Sequence, residues 1–354
     1  AIEINSVDYY AWINRCILFV YFVSYEDGIA SYNKAIEINP DDDYAWVKRG
    51  SALSNLGRYE DAVADFDKAI EINPNDNYAW FNRGNTLDNL KRHEDAIASY
   101  NKAIEIKTDD YDAWNNLGVA LSNLKRHEEA IAPFDQALRL TDYQEWTAWG
   151  NRGVALLKSK GYKPAIKTWD DGIKALKPEN PDCKEGCGEL YRQKGKILYE
   201  YATEESEPFT NWFAAKDSYE KALNFFSFDN DTFRDRHLQV LQELLKVCSA
   251  LGDERASQKY IEKAAQRLEE LLAACETKGQ KITLERKYAA FNQLRVDIKL
   301  QSNEVNKEIA ALELAEKRKN TCLGWLQENW DYQPPKITYQ DMQKLLNPKT
   351  AAIF

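Results

Sequence analysis

Asparagine recurs at a fixed interval in this sequence, and its amide is the group here best suited to recognition chemistry. Asn14, Asn82, Asn116 and Asn151 share one column, with Lys48 standing between the first two. Asn55, Asn89 and Asn123 make a second column, and Tyr10, Tyr44 and Tyr78 a third. A primary amide carries donors and an acceptor together, so it can pair with a peptide bond whatever side chains flank that bond. Tyr44, Val47, Lys48, Ser51, Ser54 and Asn55 lie at i, i+3, i+4, i+7, i+10 and i+11, which is one stripe of a helix. Phe81, Asn82 and Asn85 continue that surface one interval later.

Reaction chemistry would need other clusters, and the sequence does not form them. His93 and His127 share a column, in KRHEDA and KRHEEA, where Tyr59 stands one interval earlier; a repeated position of this kind is architectural. Cys183 and Cys187 have neither a second cysteine pair nor a nearby histidine to complete a metal set. Glycines stand singly, never as a phosphate-cradling run. The carboxylate runs at 41–43 and 75–77 lack calcium-loop spacing and suit helix caps instead. No catalytic residue, metal or cofactor is expected within this chain.

Charge and cysteine usage narrow the classes further. With 57 acidic and 47 basic residues the net charge is −10, which argues against a nucleic-acid partner. Cysteines at 16, 183, 187, 248, 275 and 322 form no disulfide framework and fit reduced thiols in the cytoplasm. The apolar run Cys16–Val23 is far short of the ~20 residues a membrane span needs.

The elements that must position the asparagines come from the repeat itself. Trp46, Trp80 and Trp114 stand 34 residues apart, Trp12 precedes them in step, and Trp149 follows after one inserted residue. Gly50, Gly84, Gly118 and Gly153 keep the same step, as do Leu53, Leu87, Leu121 and Leu156. Ala62, Ala96, Ala130 and Ala165 form another column, followed by Phe66, Tyr100, Phe134 and Trp169. Trp46, Gly50 and Leu53 make one helical face; Ala62, Phe66, Ala69 and Ile70 make a second after a turn at Gly57. Pro74 ends the second helix, and Asp76 is placed to cap the next. Neither helix buries its apolar face alone, so units must stack as a solenoid.

This order of Trp, Gly, Leu, Ala, aromatic, Ala and Pro resembles the tetratricopeptide repeat (TPR) family over residues 9–178. The resemblance implies an all-α solenoid, a right-handed superhelix of helix pairs whose first helices line a concave groove. It also implies a protein-interaction module that holds an extended or helical peptide of a partner protein. The candidate groove residues are then Tyr10, Asn14, Tyr44, Lys48, Ser51, Asn55, Tyr78, Phe81, Asn82, Asn85, Asn89, Asn116, Asn123 and Asn151. Two readings of the asparagines stand side by side: recognition of a ligand backbone, or local polar pairing within the scaffold. Ile17, Val20 and Tyr21 replace the polar Ser51, Ser54 and Asn55, which suggests either an apolar anchor site or packing on a preceding repeat.

The remaining chain departs from the pattern by degrees. Residues 1–8 read as the end of a truncated preceding repeat, because AIEIN matches Ala35–Asn39. About five regular repeats are followed by two divergent pairs over 179–276. The segment 178–189 reads as a loop, and TEESEPFTN from 203 as an acidic insertion between helices. Tyr191, Gly195 and Leu198, then Ala215, Tyr219 and Ala222, outline a sixth pair; Leu251-Gly252, Ile261 and Ala264 mark a seventh. Residues 277–325 are expected to be helical, with one long helix over 283–320 that packs back on the repeats or self-associates.

Residues 326–354 read as a linker and the start of a following domain. ITYQDMQKLLNPKTAAIF at 337–354 resembles the lead-in of CHAT domains, caspase-like modules that follow such arrays in many bacterial proteins, cyanobacterial ones especially. That resemblance implies an alternative role, the regulatory and substrate-recruiting arm of a cysteine protease. Its catalytic His and Cys would lie beyond Phe354; Cys322 and His237 are not assigned to them.

Overall fold

A computed structural model describes residues 25–202, 208–227, 233–275 and 277–287, and the chain divides into two compact units, Ala1–Ile197 and Leu198–Phe354. Among the described residues every regular element is helical. In the first unit the helices are α1 (Tyr25–Ile38), α2 (Asp43–Asn55), α3 (Tyr59–Ile72), α4 (Asn77–Asn89), α5 (His93–Ile106), α6 (Tyr111–Asn123), α7 (His127–Leu140), α8 (Trp146–Lys160) and α9 (Tyr162–Leu176). Each packs on the next, so α2/α3, α4/α5, α6/α7 and α8/α9 form hairpins in series. This is the expected α-solenoid of helix pairs.

The turn inside each pair has a local cause. Arg58 N–H donates to Leu53 O at 2.9 Å and Gly57 N–H to Ser54 O at 3.0 Å, closing α2 with both bonds of a Schellman motif. Gly57 takes a left-handed φ of 76° there. Lys91 and Lys125 hold the same place after α4 and α6 at φ 61° and 63°, against the preference of a residue with a Cβ.

The turn between pairs is fastened by the tryptophan column. Each indole N–H donates to the carbonyl six residues earlier: Trp46 to Pro40 at 2.8 Å, Trp80 to Pro74 at 2.9 Å, Trp114 to Thr108 and Trp149 to Tyr143 at 3.0 Å. Asp76 caps α4 as expected, accepting from Tyr78 N–H at 2.9 Å. Asp42 occupies the equivalent place before α2 without a side-chain cap bond.

Packing within a pair rests on the glycine column meeting the aromatic column. A Cβ on Gly50 would sit 2.9 Å from Phe66, on Gly84 2.7 Å from Tyr100, on Gly118 2.6 Å from Phe134 and on Gly153 2.0 Å from Trp169. Phe66, Tyr100, Phe134 and Trp169 are accordingly buried, with Ala62, Ala96, Ala130 and Ala165 beside them.

A second fastening joins neighbouring pairs. Arg49 reaches Asp65 on its own second helix and Asn33 on the preceding one. Arg83 does the same with Ser99 and Asp67, and Arg152 with Thr168 and Asp135. The repeat that lacks the arginine has buried Leu117 instead, and its partner positions have become Asn101 and Pro133. Asn101 is exposed and matches Asn33 in its column, so the coupled change is Leu117 with Pro133, which keeps a polar group from being buried there without a partner.

Two expectations on loops are corrected. A 3-10 turn at Pro181–Cys183 leads directly into α10 (Lys184–Ala202), so most of 178–189 is not loop. The glycine there serves contact rather than flexibility: a Cβ on Gly186 would lie 2.5 Å from Trp146. The inserted segment also yields its end to helix, since α11 (Pro208–Phe225) starts inside TEESEPFTN, with proline in the first turn where its missing N–H is tolerated.

In the second unit, α11 buries Ala215, Tyr219 and Ala222, as the repeat pattern implies. It packs on α12 (Arg234–Leu251), which packs on α13 (Glu254–Ala274). Gly252, at φ 68°, makes the turn between them, and Asp253 N–H donates to Cys248 O at 2.9 Å. Leu238, Leu241, Leu245, Ile261, Ala264 and Leu268 form the core. A further helix, α14 (Lys278–Lys287), begins ahead of the expected 283; residues 288–320 of the expected long helix lie outside the described residues. No described helix is long and apolar enough to cross a membrane.

Candidate recognition groove

The first helices α2, α4, α6 and α8 touch one another in series, so their shared face is the inner side of the array. Tyr78 is 63% exposed and Tyr44 42%, and Lys48 lies over the Tyr44 ring at 5.1 Å. Val47 does not belong to this surface: it is buried in the core with Leu53 and Phe66, in a cluster that the next repeat's Ala79 joins. Phe81 is half-buried and packs on Tyr100, ring centroids 6.1 Å apart, so its bulk supports the groove wall.

The asparagine columns are brought together more tightly than their spacing implied. Asn151 Nδ2 donates to Asn115 Oδ1 at 3.3 Å, Asn115 Nδ2 to Asn116 Oδ1 at 3.4 Å, and Asn116 Nδ2 to Asn85 Oδ1 at 2.9 Å. The Tyr100 hydroxyl donates to the same Asn85 oxygen at 2.7 Å, tying this amide chain to the core. Burial holds that phenol far above its ordinary pKa, with the Asp88 carboxylate adding to the effect, so the donor keeps its proton. Asn82 stands apart, its Nδ2 donating to Tyr78 O at 2.9 Å.

Asn115 was not among the expected residues. It occupies the column of Val47 and Phe81, and its apolar predecessors disguised it. Asn55, Asn89 and Asn123 are exposed and form the last residue of α2, α4 and α6. Ser51 Oγ donates to Val47 O at 2.9 Å within its own helix. Tyr10, Asn14, Ile17, Val20 and Tyr21 lie outside the described residues.

Each amide in the chain keeps bonding capacity in reserve. Asn116 uses one of two N–H groups and one of two lone pairs; Asn151 and Asn82 each use one N–H among the described residues. The inner face is thus a row of oriented amides, flanked by exposed tyrosines at the α2–α4 end and by Val154, 42% exposed, on α8.

The other chemical candidates stay in structural roles. His93 Nδ1 pairs with the Asp88 carboxylate at the start of α5, both half-buried. Burial pushes the Cys187 thiol up to about 11, with Cys183 and Glu179 adding to it, which leaves it protonated and unreactive. Among the described residues no three His, Cys, Asp or Glu side chains gather as a metal set.

Residues 18–77, 47–111 and 111–140 match models of the tetratricopeptide repeat. The helix pairs within residues 18–140 are tetratricopeptide repeats. No curated protein sequence matches the chain. Among solved structures, the crystal structure of MamA protein aligns at TM-score 0.46 and 17% identity, over 49% of this chain and 93% of that one. MamA 41-end from Desulfovibrio magneticus RS-1 aligns at TM-score 0.46 and 21% identity, over 49% and 97%. YrrB, described as a TPR protein with an unusual peptide-binding site, aligns at TM-score 0.39 and 22% identity, over 55% and 91%.

Proposed function

We propose that the TPR array binds an extended peptide segment of a partner protein along its inner face, through backbone hydrogen bonds to Asn82, Asn116 and Asn151. The observation that carries this reading is the linked amide chain Asn151–Asn115–Asn116–Asn85, which fixes side-chain orientation while leaving donors and acceptors unspent. Orientation in advance lowers the ordering entropy that binding must overcome. Packed helices lie ~8–10 Å apart and an extended chain rises ~10 Å in three residues, so successive TPRs meet a peptide at a regular interval. Tyr44 and Tyr78 supply aromatic surface beside the amides.

The test is a random-peptide array probed with the full chain and with the triple variant N82A/N116A/N151A. The variant is expected to lose the captured peptides while keeping its helical circular dichroism. Equal capture by both proteins overturns the reading.

A CHAT-linked role rests on residues 337–354, which lie outside the described residues. The coding sequence after Phe354 decides it: a strand-rich domain with His and Cys supports a protease arm, and a stop codon removes it. A cytoplasmic site of action is supported by the free thiols Cys183, Cys187, Cys248 and Cys275.

A further inference from the structure

A glycine that the core does not require stands on the inner face of α8. Gly150 occupies the column of Val47, Phe81 and Asn115, inside the helix, where glycine is less stable than alanine. Gly153, three residues on, is forced by Trp169, which a Cβ would meet at 2.0 Å. Nothing comparable constrains Gly150. The three atoms nearest to a Cβ there all belong to the Gln193 amide, the mobile end of a long side chain, with Nε2 at 3.3 Å and Oε1 at 3.5 Å.

Gln193 comes from α10 and falls in the column of Asn116 and Asn151, with Tyr191 at the place of Trp149. It is weakly held. Its Nε2 donates to Glu189 Oε1 at 3.3 Å, a carboxylate that Arg192 already holds at 2.7 Å. Its Oε1 is buried and has no hydrogen-bond partner among the described residues. A buried, unpaired amide oxygen is destabilising, so the side chain leaves this position over Gly150 at low cost. Val154 follows Gly150 by four residues and Asn151 by three, so it shares their face, and it is 42% exposed.

We infer that Gly150 floors a side-chain subsite of the peptide groove, covered by Gln193 until the ligand arrives. The occupant is an apolar side chain of the bound peptide, which displaces the Gln193 amide and packs on Val154. Valine, isoleucine and leucine fit, because the amide head they replace matches an isopropyl group in size. A basic side chain is not selected, since Arg192 already neutralises Glu189. Gln193, once released, gains the hydrogen bonds with water that its buried oxygen lacks. The subsite depends on the peptide groove proposed above, where Asn151 beside it holds the ligand backbone.

The test uses the full chain on the random-peptide array, with captured peptides resynthesised and their affinities read by anisotropy. These peptides are expected to share one valine, isoleucine or leucine whose replacement by alanine weakens binding about tenfold. Gly150→Ala, which fills the floor, is expected to weaken binding about fivefold or more, with a urea midpoint equal to or above that of the native chain. Gln193→Ala, which removes the cover, is expected to strengthen binding about twofold or more. Equal affinity of the native chain and Gly150→Ala overturns the inference, as does weaker binding by Gln193→Ala or a lowered urea midpoint in Gly150→Ala. Where N82A/N116A/N151A loses the peptides and Gly150→Ala does not, the groove stands and the subsite falls. Capture retained by the triple variant, or no capture by the native chain, overturns both.

Discussion

Arg49 grips Asp65 with two parallel bonds, Nε to Oδ2 at 2.7 Å and Nη2 to Oδ1 at 2.5 Å, while its third nitrogen reaches Asn33 Oδ1 at 2.7 Å. One guanidinium thereby joins the second helices of two successive TPRs. Asp65 is 4% exposed, so removing only the arginine strands a buried carboxylate. Arg49→Leu is expected to lower stability by about 3 kcal/mol, and Arg49→Leu with Asp65→Leu to recover most of it. Urea unfolding of the two variants checks this. The chain already contains the apolar solution, at Leu117 and Pro133.

Glycines under the aromatic column are positions of close approach. Gly118→Ala would place a methyl 2.6 Å from Phe134, and Gly153→Ala 2.0 Å from Trp169. Overpacking costs about 1–3 kcal/mol, more than the ~1 kcal/mol that alanine gains in helix propensity. Both variants should melt earlier, Gly153→Ala by more, as followed by circular dichroism.

The opposite change should help at two turns. Lys91 and Lys125 are exposed and hold left-handed φ angles of 61° and 63° where Gly57 is relaxed at 76°. Lys91→Gly and Lys125→Gly should each stabilise the array by about 0.5–1 kcal/mol, measured as a shift in urea midpoint at unchanged m-value. Lower midpoints for both would show that the lysine side chains contribute something the backbone does not.

In the second unit, Asp253 links a cap to an ion pair. It accepts from Ala256 N–H at 3.0 Å and from Lys216 Nζ at 2.6 Å. The Lys216 bond, then the Ala256 bond, holds its carboxyl below the ordinary 3.8, while the Asp253 bond holds Lys216 above 10.5. A depressed acid stabilises above its unfolded pKa and loses that contribution as pH falls through the folded value. A raised base stabilises below its unfolded pKa and loses it as pH rises through the folded value. The pair should therefore contribute fully between about pH 5 and 9. Asp253→Asn should weaken stability there and flatten its fall below pH 4, read from urea midpoints across pH.

The solenoid was legible because its causes are local and repeat. Trp46, Gly50, Leu53, Ala62 and Phe66 encode two amphipathic helices and a turn, and every copy restates them. Gly57 and Asp76 act within a few residues of themselves, so their roles followed from sequence as well. Gly186 misled because a glycine that admits Trp146 looks, in one dimension, like a glycine that bends a loop.

What tertiary structure alone decided is which side chains meet across repeats. Arg49 and Asn33 are 16 residues apart, and Asn116 and Asn85 are 31; no helical period pairs them. Asn115 enters the groove only through the stacking that sets it between Asn151 and Asn116. The same stacking buried Val47 and half-buried Phe81, which a helical stripe had placed on the surface. A sequence period determines which face of a helix is apolar; contact between units depends on how those faces are rotated and spaced against one another, and that is settled only by packing.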